Sequence, residues 1–397
     1  MRAGFCPEVT PIPIPYLFIM KRSSFVGLSA LAAALPALPA LPVAAQTGGA
    51  TRSGRSALVL IGGANRGAYE AGAIAAMAAA RGLGDGQPLP FDMICGTSIG
   101  ALNGYMVATA QYSTLSYLWR HEIAARDVFR LKSQFDAVQD PESGLINRAA
   151  AAFRATGLLK NVTGLLDPQP FWDVLDAYVH PATPIALPLY ISTTNITTQN
   201  NQMWVRKATT PDGAAKQSVD DVLLAASKER VRAIDDSLLK HVLFASAAIP
   251  ILFDPIQIPR EEDPQTTDQY VDGGVTQNVP INIALLCADT LNVILLAPAH
   301  DEINEKYTSA LEIGLGMFAT MQAAILAYQV RLAYELGQTL LPFTPYVIRP
   351  AHDLPGHGSD FNDQAQLEEM WQLGYADMAK GWVRIDPPKD LPFGSLQ

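Results

Sequence analysis

The first strong pattern along the chain is the apolar run Ala57-Leu58-Val59-Leu60-Ile61, stopped by Gly62-Gly63. An uninterrupted apolar run of this length with a glycine stop predicts a buried strand of the parallel kind. Residues 67–81 follow, rich in alanine, with Tyr69, Ile74 and Met77 among them, and end at Gly82. They predict a helix closed by a glycine cap. Phe91 to Cys95 repeats the short apolar run, and residues 98–110 repeat the helix. Strand, glycine turn and helix, taken twice, predict an α/β fold: a doubly wound, mainly parallel sheet flanked by helices.

Further on, 111–186 reads as mostly helical and irregular. Leu189–Thr194 and Met203–Arg206 are β-rich runs around the polar stretch 197–202, which predicts a hairpin. Ser237–Ala248 reads as a helix ended by Pro250, and Leu291–Leu296 as a buried strand. Residues 307–336 and 362–380 read as helices of a C-terminal extension. Residues 313–330 carry no charge, yet Gly314, Gly316, Thr320, Gln322 and Gln329 interrupt them. A buried or lipid-facing amphipathic helix fits that mixture better than a membrane span. No internal repeat is present.

The N-terminal pattern differs. Lys21 and Arg22 precede an apolar run, Phe25 to Leu35, and Val43-Ala44-Ala45 places small residues before Gln46. A basic start, a short apolar core and a small-residue exit form a secretory signal peptide. The residues before Met20 fit no part of it, so translation is expected to start at Met20. The expected organisation is a signal-peptide region (1–45), a linker (46–55), a catalytic domain (56–290) and a C-terminal strand and helices completing or covering it (291–397). The expected location is outside the cytoplasm: periplasmic, outer-membrane-associated or extracellular.

Composition narrows the function. With 49 % hydrophobic and 17 % charged residues the chain is not disordered. A net charge of −10 repels phosphate backbones and excludes nucleic acid as a natural partner. Removing residues 1–45 leaves 25 basic and 37 acidic residues. Cys95 and Cys287 remain and, in apolar surroundings, are expected as buried thiols rather than a disulfide.

The candidate chemistry begins at Gly96-Thr97-Ser98-Ile99-Gly100, a G-x-S-x-G pentapeptide between an apolar run and a helix. In that setting a sharp turn exposes the serine hydroxyl at the carboxyl end of the sheet, near a helix N-terminus. Such a hydroxyl needs a base. One candidate is a histidine from His121, His180, His241, His300, His352 and His357, with His300 or His352 favoured by chain order. The other is Asp272, at the end of an apolar-leaning run and followed by Gly273-Gly274. The loop Gly62-Gly63-Ala64-Asn65-Arg66-Gly67 fits neither the dinucleotide nor the Walker pattern. It reads better as an oxyanion hole, with Arg66 bracing the loop.

These three pieces together resemble the patatin-like phospholipase family: a glycine-rich loop followed by a basic residue, then G-x-S-x-G, then D-G-G. The resemblance extends to 64–72 and to Phe244–Pro250, and covers roughly residues 57–290. It implies a three-layer α/β/α fold and a Ser98–Asp272 dyad. It also implies oxyanion donors from Gly62, Gly63 and Ala64, support from Arg66 and Gly67, and motif glycines at Gly96, Gly100, Gly273 and Gly274. No metal or organic cofactor is implied. The implied substrate is a phospholipid or other lipid acyl ester, hydrolysed as by a phospholipase A or lysophospholipase, with peripheral contact to a membrane and no set oligomeric state. The competing expectations are a Ser-His-Asp esterase and a catalytically silent lipid-binding protein of the same fold. Two positions depart from the family pattern. Ala64 replaces a glycine, which is harmless unless that position needs positive φ. Asp254 replaces a proline and is expected in a surface turn; Asp92 is expected to support the start of a strand. The apolar segments around 150–180 and 313–330 read as core, with an acyl pocket as the alternative.

Overall fold

The structure is a computed structural model. It describes residues 54–134, 163–209, 231–298, 344–356 and 361–384, with short helical stretches between 313 and 329. The signal-peptide region, most of the linker and most of the 307–336 helix lie outside the described residues.

The first apolar run forms β1 (Ser56–Leu60), and the alanine-rich stretch forms α1 (Gly67–Ala80). Next come β2 (Met93–Thr97), α2 (Ile99–Ala108), α3 (Tyr112–Tyr117) and a π-helical turn, Leu118–Glu122. After α4 (Gln169–Tyr178) the hairpin appears as β3 (Leu189–Asn195) and β4 (Asn200–Arg206). The chain continues through β5 (Val231–Ala233), α5 (Leu239–Ala247), β6 (Ile256–Pro259) and β7 (Thr267–Asp272). It closes with α6 (Ile281–Cys287), β8 (Thr290–Ile294), β9 (Thr344–Ile348), α7 (Gln364–Ala379) and β10 (Val383–Arg384).

The strands form one ten-stranded sheet whose main path is β10-β9-β8-β1-β2-β3-β4-β5. The centre, β9 to β3, is parallel throughout. Antiparallel pairs involve β4, β7, β6 and β10. Helices flank the sheet, giving the α/β/α architecture. β1 and β2 are almost wholly buried, which explains why both read as continuous apolar runs rather than alternating ones. From β1 the chain steps to β2 and β3 on one side, then returns with β8 and β9 on the other. β1 therefore marks the reversal of strand order, and the carboxyl ends of strands at such a point border the usual ligand crevice. Those ends carry the Gly62–Gly67 loop and Ser98.

The edge of β3 matters most for the site. Along its whole length one edge pairs with β4. The other edge is shared: β2 pairs with residues 189–192 and β7 with residues 193–195. β2 runs parallel to β3 and β7 antiparallel, so the two meet head on. Thr97 pairs with Ser192, and Asp272 pairs with the next residue, Thr193.

The C-terminal helix α7 packs on α1, where the Tyr69 hydroxyl donates to Asp377 (3.0 Å). Arg120 grips Glu368 with two hydrogen bonds, 2.6 and 2.9 Å. β8 pairs directly with β1, so the sheet runs on past residue 290. Cys95 and Cys287 are buried thiols. Where the sequence predicts a strand from Phe91, β2 begins at Met93, because Asp92 is spent on the neighbouring strand. Its N–H donates to Ser56 O (2.8 Å) and its carboxylate accepts the Ser56 N–H (2.8 Å). Residues β5, β6, β9 and β10 were not legible as strands: each is at most five residues long, and two contain proline.

Candidate active site

Ser98 sits between β2 and α2 with φ 54° and ψ −128°. That backbone is costly for any residue with a Cβ and persists only where its surroundings enforce it. The enforcement is visible. The Ser98 N–H donates to Ser246 Oγ (2.8 Å), and that hydroxyl donates to the Ser192 carbonyl (2.7 Å). Gly100 lets α2 start against the end of β1, since a Cβ there would lie 2.5 Å from the Leu60 oxygen. Gly96 lies beneath the first turn of α2.

Asp272 ends β7. The Ser98 hydroxyl donates to its Oδ2 (2.6 Å), and the Gly274 N–H donates to its Oδ1 (2.7 Å). The backbone is fixed as well: Asp272 N–H donates to Ala248 O (2.9 Å), and the Thr194 hydroxyl donates to Asp272 O (2.9 Å). Gly273 crosses so close to the Ser192 carbonyl that no side chain fits. Asp272 is fully buried, and burial pushes its carboxyl up to about 7, against the pull of the Ser98 and Gly274 donors toward the ionised form.

The other expected residues fall as follows. The Gly62 N–H is already donated to Asn278 Oδ1 (3.1 Å), so of the three amides implied as oxyanion donors, this one is engaged elsewhere. The Arg66 N–H closes a turn onto Gly63 O (3.1 Å), and Gly67 packs against Ile99 and Trp119. Ala64 has φ 51°, so the position that departs from the family's glycine does need the left-handed region. Beneath the loop lies a carboxylate the sequence did not flag. Glu70, fully buried, accepts the Ile61 N–H (3.1 Å) and the Asn103 amide (2.8 Å), and Asn103 in turn accepts the Trp119 indole N–H (2.9 Å). Burial pushes Glu70 up to about 8.

Among the described residues, the histidines sit elsewhere. His241 packs edge-on against Trp172, His121 lies beside Tyr117, and His352 is exposed. His180 meets Tyr105 through its backbone; His300 and His357 lie outside the described residues. Asp254 pairs with Lys132 (2.7 Å) and Thr163 (2.5 Å), fastening the 163–167 segment rather than approaching Ser98. Ser246, Asn278 and Glu70 were missed because each acts through a partner far along the chain. Ser246 and Glu70 lay within segments already marked, Phe244–Pro250 and 64–72, but neither was singled out.

Ser98 and Ala64 open onto a cavity of about 790 Å³, its open mouth included. Its walls are almost all apolar and come from α2, α4 and the 115–129 stretch. Part of the 150–180 region expected as core serves both purposes: Phe171, Leu175 and Val179 are buried in the core and also line the pocket. Residues 58–285 match the sequence profile of the Patatin-like phospholipase family. The chain belongs to this family. Membership makes it a lipid acyl hydrolase, a carboxylic ester hydrolase whose substrates are lipids. No curated protein matches the sequence. Among solved structures the chain is similar to VipD from Legionella pneumophila, at 13 % identity and a TM-score of 0.38, over 84 % of this chain and 68 % of that one.

Two changes to this patatin-like phospholipase test the scaffold around Ser98. Ala64→Gly removes a left-handed conformation costing an L-residue about 1–2 kcal/mol, offset in part by about 0.5–1 kcal/mol of glycine entropy. Thermal unfolding is expected to show a small rise in Tm. Ser246→Ala strips partners from two buried backbone groups and is expected to cost about 1–3 kcal/mol in urea unfolding.

Proposed function

We propose that the protein is an exported hydrolase of the phospholipase A or lysophospholipase type, working through an acyl-enzyme on a Ser98–Asp272 dyad. The observation that carries this reading is the 2.6 Å hydrogen bond from Ser98 Oγ to Asp272 Oδ2 at the wall of an apolar cavity. Ionised Asp272 takes the Ser98 proton as Oγ attacks the ester carbonyl carbon. The new C–O bond pushes an electron pair onto the carbonyl oxygen. Collapse of that intermediate breaks the ester bond, and Asp272 returns the proton to the departing alcohol. Water then repeats the sequence on the acyl-enzyme: Asp272 takes its proton, and on collapse the proton goes back to Ser98 Oγ as the fatty acid leaves.

The negative oxygen faces the Gly63 and Ala64 amides, since the Gly62 amide serves Asn278. The N-terminal end of α1 adds its dipole. A base held at about 7 suits work near neutral pH, where it is both ionised often enough and basic enough to take a proton. Export rests on the pattern in residues 1–45. Peripheral membrane contact is supported by the helical stretches between 313 and 329. Ile313, Met317, Met321 and Tyr328 are exposed along them, while Gln329 turns inward to accept the Val279 N–H (3.1 Å). No helix among the described residues is long and apolar enough to cross a membrane.

A fluorophosphonate probe is expected to label the protein at Ser98 and to fail on Ser98→Ala. Labelling elsewhere, or none, refutes the nucleophile. Ser98→Ala and Asp272→Asn are each expected to lower kcat by about 10⁴-fold or more. In the parent protein kcat/KM should fall about tenfold per pH unit below about 7 and level off above it, as the base becomes protonated. The same carboxyl has the opposite effect on stability. Its folded value lies above the ordinary 3.8, so the folded state holds a proton that the unfolded chain releases between about pH 4 and 7. Its contribution is greatest at acid pH and is lost as pH rises through about 7. Asp272→Asn should therefore melt no lower than the parent at pH 8, with its advantage shrinking toward pH 5.

A further inference from the structure

The cavity has a direction. Along α2 it is lined by Ile99, Leu102, Asn103 and Met106, one face of the helix starting beside Ser98. Along α4 it is lined by Phe171, Val174, Leu175 and Tyr178, again one face, and just past its end by Val179. Phe171 packs on Phe244 of α5 (4.4 Å between rings), and α5 also carries Ser246, which holds the Ser98 amide. At the other end Tyr105 donates its hydroxyl to His180 O (3.0 Å) and accepts the His180 N–H (3.2 Å), just past Val179 and beside Met106. The channel therefore starts at the nucleophile and ends among Met106, Leu115 and Val179. Met106, Leu115 and Val179 are only 5 %, 2 % and 2 % exposed, so that end is closed to solvent.

We propose that this channel measures the acyl chain and that Met106, backed by Leu115 and Val179, is its stop. The proposal rests on Ser98 being the nucleophile. Met106 lies eight residues beyond Ser98, about 12 Å along the helix at 1.5 Å per residue. With C–C bonds of about 1.5 Å in a zigzag, that distance holds an extended chain of about ten carbons. The enzyme thus selects medium-length acyl groups. A longer chain has to bend back toward the mouth or stay out of the channel, leaving its end in water.

The test uses the full chain and p-nitrophenyl esters from acetate to palmitate, comparing kcat/KM. The parent is expected to peak near decanoate. Met106→Ala clears room for about two more carbons. Each newly buried methylene is worth about fourfold, so with two more buried the tetradecanoate-to-decanoate ratio should rise about sixteenfold. Met106→Trp should move the peak toward hexanoate, and Leu115→Trp, on a different element, should move it the same way if the first variant fails to fold. Ratios between esters on one preparation do not depend on the folded fraction, so a merely structural defect leaves them in place. A peak that stays put in both Met106→Ala and Leu115→Trp overturns the ruler while leaving the dyad standing. A parent that hydrolyses no ester of any length overturns the dyad, and the ruler with it.

Discussion

Everything at the site depends on two strands ending face to face on one edge of β3. β2 delivers Thr97 opposite Ser192, and β7 delivers Asp272 opposite Thr193. Adjacent residues of one strand thus hold the neighbour of Ser98 and the Asp272 carboxylate in register, although Ser98 and Asp272 lie 174 positions apart in the chain. No loop has to be trained to bring them together. The Ser192 carbonyl takes part directly, accepting the Ser246 hydroxyl that in turn holds the Ser98 amide. The same carbonyl crowds Gly273, so the chain can leave β7 only as glycine. One peptide unit of β3 therefore supports both partners of the hydrogen bond.

Two buried carboxylates flank this centre, and their surroundings separate their roles. Glu70 receives only donors, the Ile61 amide and the Asn103 side chain, and ties the start of the glycine loop to α1 and α2. Asp272 receives one fixed amide and one hydroxyl. The hydroxyl can give up its proton; the amides cannot. Burial raises both carboxyls, to about 8 and about 7, so each is easily protonated. Of the two, only Asp272 accepts from a hydroxyl, that of Ser98 at the cavity wall.

What the sequence displayed was local. A strand, a glycine turn and a helix share one short stretch, Ser56–Ala80 and again Met93–Ala108, so the loops after β1 and β2 could be read directly. The hairpin of β3 and β4 was legible for the same reason. The pairing of β7 with the far half of β3 was not, because it is a matter of register between distant segments. Asn278 gave no cue at all, since it acts on the Gly62 amide 216 positions away. The positive φ of Ala64 was open in the sequence because alanine there says nothing about backbone shape. The apolar face of α4 was read as core, with an acyl pocket as the alternative, and it serves as both. A stripe that faces a cavity has the same spacing as one that faces core, and only the packing of α2 and α5 distinguishes them.

The rigidity of the central sheet follows from what the site spends. Ser98 and Ala64 both hold left-handed backbones with a Cβ present, at about 1–2 kcal/mol each. Asp272 is buried at a cost in its ionised form, and a channel is left unfilled where side chains could have packed. None of these stabilises the fold. They occur where β1 and β2, buried on both faces, turn into α1 and α2, and where α7 presses on α1 from outside. A looser scaffold would relax the Ser98 elbow toward ordinary backbone and swing the hydroxyl away from Asp272. The parallel centre of the sheet is thus what keeps a strained serine hydrogen-bonded to a carboxyl that burial has raised to about 7.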